Sequence, residues 1–188
     1  MTDPAQTLTS AAYTIDPAHS RLGFTVRHAM ITKVHGSFTD FTAQGRLDLA
    51  NPANSSATVV INAASIDTQN PTRDEHLRTN DFLDVATYPQ LRFVATSFEY
   101  PQVFTPGASL KITGDLTIKD VTRPVSFDLI FTGSAVDPYQ NERVGFEGTL
   151  VINRTDWNIT WNNPLDAGGV LVGELVTIEL ALEALTQR

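Results

Sequence analysis

Apolar and polar residues alternate with a period of two along much of this 188-residue sequence. The clearest alternation runs over 110–118, and similar alternation covers 22–28, 144–152 and 176–183. Because successive side chains of a strand point to opposite faces, this pattern predicts strands with one dry face and one wet face. Less regular strand-like runs lie at 44–49, 56–62, 91–99 and 125–131. The sequence therefore predicts about eight strands.

The connections between these runs are short and rich in turn formers. Asn51-Pro52, Pro106-Gly107 and the segment 119–124 separate consecutive strands, which indicates antiparallel neighbours. One segment departs from the pattern, because Asn70 followed by Pro71 is typical of an N-cap and the first residue of a helix. We therefore predict a short helix near 71–79.

One-sided strands must bury their apolar faces, and a single short helix is too little cover. The sheet must then cover itself, as a sandwich or as a closed barrel without exposed edges. Gly114 and Gly148 fall on predicted inward faces, where they either leave room for a ligand or only allow a bend. We predict an all-β domain over 13–188, preceded by a flexible arm at 1–12, and the residues alone leave a cavity and a filled core open.

Composition limits the partners. The chain has 13 Lys and Arg against 21 Asp and Glu, so its net charge of −8 favours neither nucleic acid nor anionic membrane surfaces. The absence of cysteine excludes disulfides and thiolate chemistry. No apolar run reaches the ~18 residues of a membrane helix, so no integral membrane contact is predicted. The first ten residues lack the basic and apolar regions of a signal peptide, which predicts a cytoplasmic protein.

No motif for catalysis, cofactors or metals stands out. The histidines are His19, His28, His35 and His76, and their spacing fits no metal site, so we predict neither a metal nor a catalytic residue. His28 ends an apolar strand face and would either bind a ligand head group at a pore mouth or be satisfied by a backbone partner. The charge-dense segment 73–78 is interpreted as a solvated helix face with internal ion pairs.

Thirteen short segments together carry a resemblance to a known family. They are Tyr13-Thr-Ile-Asp16, His19-Ser20, Phe24-x-Val-x-His28, Gly36-Ser-Phe-x-Asp-Phe41, Ser65-Ile-Asp-Thr68, Arg73-Asp-x-His-Leu-Arg78, Asp81-Phe-Leu-Asp84, Tyr88-Pro89, Gly114-x-Leu-Thr-Ile118, Val121-Thr-x-Pro-Val125, Gly145-Phe146, Asn153-Arg154 and Val172-Gly173. In this order, over about 13–184, the sequence resembles the YceI-like, polyisoprenoid-binding family of bacteria.

The resemblance implies a lipocalin-like, eight-stranded antiparallel barrel with a long internal pore and a helical segment. It implies a non-catalytic protein that binds, transports or sequesters a long-chain amphiphile, such as a polyisoprenoid, a prenyl quinone or a fatty-acid-like lipid. It brings no catalytic residues and no cofactor besides the bound lipid. It also implies a possible homodimer, and it suggests that the segment 73–78 ties the helix to the barrel.

The predicted ligand contacts combine the alternation with the implied barrel. They are Phe24, Val26, His28, Phe38, Phe82, Phe93, Ile112, Leu116, Phe127, Phe146, Leu150, Trp157 and Ile178. The chain departs from the family at Trp157-Asn158, where Phe-Gly is expected, so an indole there would shorten or narrow the pore. Many relatives are exported, whereas this chain shows no signal peptide. Two alternatives stay open: an enzyme acting on a lipid held in the pore, and a ligand-free, stress-related structural module.

Overall fold

The computed structural model describes residues 8–165 and 168–187. Within them, eleven strands form one antiparallel sheet, joined by one α-helix, α1 (Pro71–Arg78). The strands are β1 (Ala11–Ile15), β2 (Arg21–His28), β3 (Thr32–Phe38), β4 (Phe41–Leu47), β5 (Ser56–Asn62), β6 (Ile66–Asp67), β7 (Gln90–Glu99), β8 (Ser109–Ile118), β9 (Val121–Val136), β10 (Glu142–Asn153) and β11 (Val172–Thr186). No described helix is long and apolar enough to cross a membrane.

The eleven strands make an eight-stranded barrel, because three consecutive pairs each form one broken strand. β1 continues into β2, β3 into β4, and β5 into β6. Each of the eight resulting strands pairs with the next along the chain, and β11 closes the ring by pairing with both β1 and β2. The predicted closed antiparallel barrel with one short helix is confirmed, and α1 ends one residue before the predicted boundary.

The breaks follow from local capping. Asp16 accepts a hydrogen bond from the backbone N–H of Ala18, and Pro17 begins a 3₁₀ turn that interrupts β1 and β2. Asn62 caps the equivalent 3₁₀ turn between β5 and β6 by accepting from the N–H of Ala64. Both turns replace strand pairing with side-chain hydrogen bonds, so the barrel bends there.

The predicted flexible arm at 1–12 extends too far. Leu8 is only 4 % exposed in the core, and Ala11 already begins β1, whose residues pair with β4. Burial of Leu8 and the strand hydrogen bonds order this part of the chain. Residues 1–7 lie outside the described residues.

Helix α1 is tied to the barrel by arginines that bind backbone carbonyls. Arg78 donates from Nε to the carbonyl of Ala64 and from Nη2 to that of Ile66, both at 2.8 Å. Arg73 donates to the Thr68 carbonyl at 2.8 Å, and buried Asp74 accepts from the N–H of Thr68 at 3.0 Å. The interpretation as a solvated face with internal ion pairs is therefore wrong, because the arginines bind backbone carbonyls instead of carboxylates.

The two inward glycines make room for neighbouring atoms. A Cβ at Gly114 would lie 2.4 Å from the Phe93 ring and 2.5 Å from the Val94 carbonyl oxygen. At Gly148 it would lie 2.5 Å from the Asp128 carbonyl oxygen. Gly114 also stands beside the register shift between β7 and β8. These glycines therefore serve close packing and bending rather than open space.

Phe131 on β9 is fully buried and anchors one end of the core. Its ring lies 6.0 Å from that of Phe104 and 5.7 Å from that of Phe146. We expect Phe131→Ala to lower the free energy of unfolding by about 3–5 kcal/mol, because the cavity it leaves cannot close. The neighbouring Ile130 is 39 % exposed, so Ile130→Ala should cost about 1 kcal/mol or less. Equal losses in urea denaturation would contradict this assignment.

Candidate ligand-binding site

The barrel encloses a cavity of about 230 Å³ whose wall includes residues from all eight barrel strands. Among the described residues, no Asp, Glu, His, Lys or Cys lines it. Arg46 borders the cavity, but its side chain is exposed on the outer face of β4. A largely apolar wall of this kind suits a hydrocarbon chain.

Nine of the thirteen predicted contact residues line this cavity. They are Phe24, Phe38, Phe93, Ile112, Leu116, Phe127, Phe146, Leu150 and Ile178. Their rings pack in tilted pairs, with centroids 5.9 Å apart for Phe24 and Phe38 and 5.5 Å apart for Phe93 and Phe127. Alternation placed these residues on the inner face, and the structure shows that this face surrounds open volume.

Two of the other predicted residues lie on β2 beyond the cavity. The wall ends at Phe24 on this strand and begins again at Phe38 on β3. Val26 is half-buried and does not line the cavity, and His28 is exposed opposite Thr32 at the end of the hairpin. The alternation continues past the barrel interior because the hairpin of β2 and β3 itself extends further. His28 is therefore not part of the cavity wall, and its contact with a ligand head group stays a prediction.

The remaining two, Phe82 and Trp157, belong to a cap over the end of the barrel next to α1. Phe82 is 6 % exposed, and its ring lies 5.2 Å from that of Trp161 and 5.1 Å from that of His76. His76 also contacts Asp81, with 2.8 Å between Nε2 and Oδ2. Neither Phe82 nor Trp157 reaches the cavity, because the residues that close a barrel end lie outside the sheet.

Trp157 does not narrow the cavity. Its indole is 2 % exposed and donates from Nε1 to the Leu116 carbonyl at 3.0 Å. The next residue, Asn158, has φ +57°, a left-handed conformation that favours glycine and tolerates asparagine. Trp157-Asn158 thus fits the backbone expected for Phe-Gly, and the predicted shortening of the pore by this indole is wrong.

Arg154 is a buried structural residue whose role the sequence did not reveal. It is 5 % exposed and donates to three backbone carbonyls, those of Gly173 at 2.9 Å, Ile159 at 2.5 Å and Val172 at 3.2 Å. Burial lowers the pKa of its guanidinium, and Glu174 opposes that shift. The pair Asn153-Arg154 was visible as a family segment, but nothing in its spacing identified carbonyl oxygens as the partners.

A charged cluster on the outside joins β10 to the β1–β2 break. Arg143 donates to Asp16 at 2.8 Å, to Asp137 at 2.9 Å and to Glu183. The hydrogen bonds from Arg143 and then His19 lower the pKa of Asp16 to about 2. Asp16, His19 and Glu183 also place possible ligand atoms close together, and the Arg143 guanidinium forms ion pairs with both carboxylates.

The sequence matches a known family and curated bacterial proteins. A profile of the YceI-like domain matches residues 13–184. A UPF0312 protein of Staphylococcus aureus is 36 % identical over 172 residues, which cover 91 % of this chain and 95 % of the relative. Protein YceI of Escherichia coli O157:H7 is 40 % identical over 152 residues, which cover 80 % of this chain and 77 % of the relative.

Solved structures share the barrel. BcnA of Burkholderia cenocepacia superposes with a TM-score of 0.75 at 27 % identity, covering 90 % of this chain and 98 % of that one. A polyisoprenoid binding domain from Saccharophagus degradans superposes with a TM-score of 0.66 at 15 % identity, covering 94 % and 99 %. The second likeness is one of fold alone.

We expect the ion pairs of Arg143 to make the stability of the fold depend on pH in the acidic range. The pKa of Asp16 is about 2 in the folded protein, whereas its ordinary value is 3.8. The ionised carboxylate therefore contributes fully to the stability of the fold above about pH 4, and this contribution is lost as the pH falls towards 2. We expect the melting temperature to fall over this interval and Arg143→Met to flatten that fall. Arg21→Met, which alters a separate exposed pair with Glu179, should leave the acid dependence unchanged. Parallel acid profiles for the two variants would contradict the assignment.

Because Trp157 is buried but does not line the cavity, its substitution should lower stability without weakening ligand binding. We expect Trp157→Phe to cost about 1–3 kcal/mol of unfolding free energy, because the buried Leu116 carbonyl loses its donor. Affinity for an added prenyl quinone, measured by equilibrium dialysis, should stay within twofold of the unaltered chain because the indole does not line the cavity. A clear gain in affinity for longer chains would instead place this residue in the pore.

Proposed function

The chain belongs to the YceI-like domain family, and we propose that it binds one long-chain amphiphile in its barrel, such as a polyisoprenoid or a prenyl quinone. The observation that supports this proposal best is the largely apolar cavity, to which every barrel strand contributes. In the part of the chain that the structure describes, no acidic residue, lysine or histidine lines it. The Saccharophagus domain, described as polyisoprenoid-binding, supports this ligand class through its shared fold.

The physical basis of affinity is burial of hydrocarbon. Each buried CH₂ contributes about 0.8 kcal/mol, so roughly ten buried carbons give useful affinity without a charged contact. A largely apolar wall then selects by chain length and thickness rather than by hydrogen bonds. This selection suits isoprenoids, whose methyl branches make them thicker than straight acyl chains.

The cavity must widen when a long chain enters. Its volume of about 230 Å³ lies below the roughly 300–1,000 Å³ of drug-sized binding sites. Phe24, Phe38 and Phe127 are half-buried side chains of the wall that pack against the core, and we expect them to move when a long chain enters.

The proposed role is non-catalytic carriage or sequestration. Tyr13 and the outward-facing Arg46 are the only titratable residues among the described ones that line the cavity, which supports binding without chemical change. The Tyr13 hydroxyl donates to the Thr9 carbonyl at 2.7 Å, and burial raises its pKa, so it is held in a structural contact. A cytoplasmic location, a homodimer and a part in stress responses stay predictions.

Mass spectrometry of an organic extract from the natively purified protein tests this function directly. We expect one isoprenoid, quinone or related amphiphile per chain, and the protein stripped of lipid should take up an added prenyl quinone. An empty extract together with no uptake would refute the proposal and favour a filled structural module. Appearance of a chemically altered lipid during incubation would favour the enzyme hypothesis.

A pair of neighbouring substitutions on β10 locates binding in the cavity. Leu150 lines the cavity, whereas Val151 is 56 % exposed on the outer face of the same strand. We expect Leu150→Asn to weaken prenyl quinone binding at least tenfold, because an amide would be buried beside hydrocarbon without a partner. Val151→Asn should change it less than twofold. Equal effects in equilibrium dialysis, with both variants folded by circular dichroism, would exclude the cavity as the site.

A further inference from the structure

The hairpin of β2 and β3 ends in a turn that exposes two large apolar side chains. Met30 is 55 % exposed and the adjacent Ile31 is 78 % exposed. The turn itself is closed by a hydrogen bond of 3.0 Å from the N–H of Ile31 to the His28 carbonyl. Neighbouring apolar side chains at a projecting point leave apolar surface in water, and such surface is typical of interaction sites. We call Met30 and Ile31 the tip.

Folding of the turn does not explain why its residues are apolar. Ala29 has φ +50° and Met30 has φ +61°, both in the left-handed region. This conformation is uncommon for residues other than glycine, asparagine and aspartate, and tight hairpin turns that use it favour Asn-Gly. Ala-Met is therefore a poor choice for the turn, and an apolar side chain stands where the backbone alone would select a small or polar residue.

The hairpin is also a basic part of an acidic protein. Residues 17–39 contain Arg21, Arg27 and Lys33 but no Asp or Glu, although the whole chain has a net charge of −8. Arg27 and Lys33 lie opposite each other beside the turn, and both are exposed. Among the described residues, neither side chain has an ion-pair or hydrogen-bond partner. Glu174 on the neighbouring strand β11 accepts from Asn153 at 3.4 Å instead.

A second exposed apolar turn, between β9 and β10, has the opposite charge. Val136 is 61 % exposed there and Tyr139 is 84 % exposed. Residues 136–142 contain Asp137 and Glu142 but no Lys or Arg. The two turns lie at opposite ends of the barrel, since they adjoin opposite ends of β11. Of these two turns, only that of the β2–β3 hairpin combines apolar side chains with cations that have no partner.

We propose that the tip docks on the surface of a bilayer that contains anionic lipid. The apolar side chains of the turn enter the interfacial layer, and Arg27 and Lys33 lie at the lipid phosphates. Apolar residues flanked by cations are what such a surface binds. The acidic remainder of the chain is repelled by the same surface, so the protein docks with this hairpin towards the membrane. This inference goes beyond the proposed function and does not rest on it.

The small size of the tip favours a bilayer over a protein partner. A stable protein interface buries roughly 800 Å² on each side, which is far more than two side chains and two cations present. A bilayer has no such requirement, because each inserted apolar group and each cation near the phosphates adds to binding separately.

Cosedimentation with lipid vesicles tests the docking without any quinone. The lipid-free chain should bind vesicles of phosphatidylcholine with one third phosphatidylglycerol, and Ile31→Asp should weaken this binding about tenfold. The matched control, Tyr139→Asp, adds the same charge at the other turn and should change binding by less than about twofold. Both positions are exposed, so both variants should fold, as circular dichroism will show. High salt should release the unaltered chain, because it screens the cations.

A fluorescent label reports which turn enters the lipid. The natural sequence has no cysteine, so Ile31→Cys and Tyr139→Cys each give one site for the environment-sensitive dye NBD. We expect NBD at position 31 to brighten and shift to the blue when phosphatidylglycerol vesicles are added. NBD at position 139 should keep the spectrum that it has in water.

Three results would overturn the proposal. They are equal binding to vesicles of pure phosphatidylcholine, equal loss of binding in the two aspartate variants, and unchanged NBD emission at position 31. If Ile31→Asp altered the sedimentation coefficient of the free protein but not its vesicle binding, the tip would instead bind a second copy of the chain. In each case the proposed binding of an amphiphile in the cavity would stand, because the lipid extract and quinone uptake measure it separately.

Discussion

The pairing of β11 with both β1 and β2 is the constraint on which the rest of the molecule depends. Strands with one apolar face have no other layer to cover them, so the sheet must close on itself to bury that face. β11 is long enough to span the break between β1 and β2, and it carries the ring across the 3₁₀ turn at 17–19. Closure removes the sheet edges and at the same time creates the enclosed apolar volume.

Because the broken strands bend at their capped turns, the ring is closed but not uniformly bonded. At these turns, backbone N–H groups donate to the side chains of Asp16 and Asn62 instead of to a neighbouring strand. The proposed function depends on this arrangement, because the closed sheet surrounds a largely apolar cavity that suits a hydrocarbon chain.

Alternation predicted the fold and much of the cavity wall because it reports which way a strand residue points. It could not show how far along the barrel axis the cavity extends. Val26 and His28 were therefore predicted as contacts, although β2 continues beyond the end of the cavity wall. Nor could it place Phe82 and Trp157, since the cap consists of segments outside the sheet. The hydrogen-bond partners of Arg73 and Arg154 could not be predicted either. A sequence shows where charged side chains lie, but it does not show which backbone carbonyl oxygens are available to accept their hydrogen bonds.

Closure by the last strand also sets the order in which the barrel can assemble. Tyr13 must meet Thr186, so the final pairing joins residues near opposite ends of the described chain. Contacts of such large sequence separation form slowly, since the entropy of closing the loop is lost before the contacts stabilise it. During synthesis the first seven barrel strands must therefore wait, with their apolar face uncovered, for β11 to leave the ribosome. A hydrocarbon ligand or a chaperone that covers this face in the interval would act on folding as well as on the finished protein.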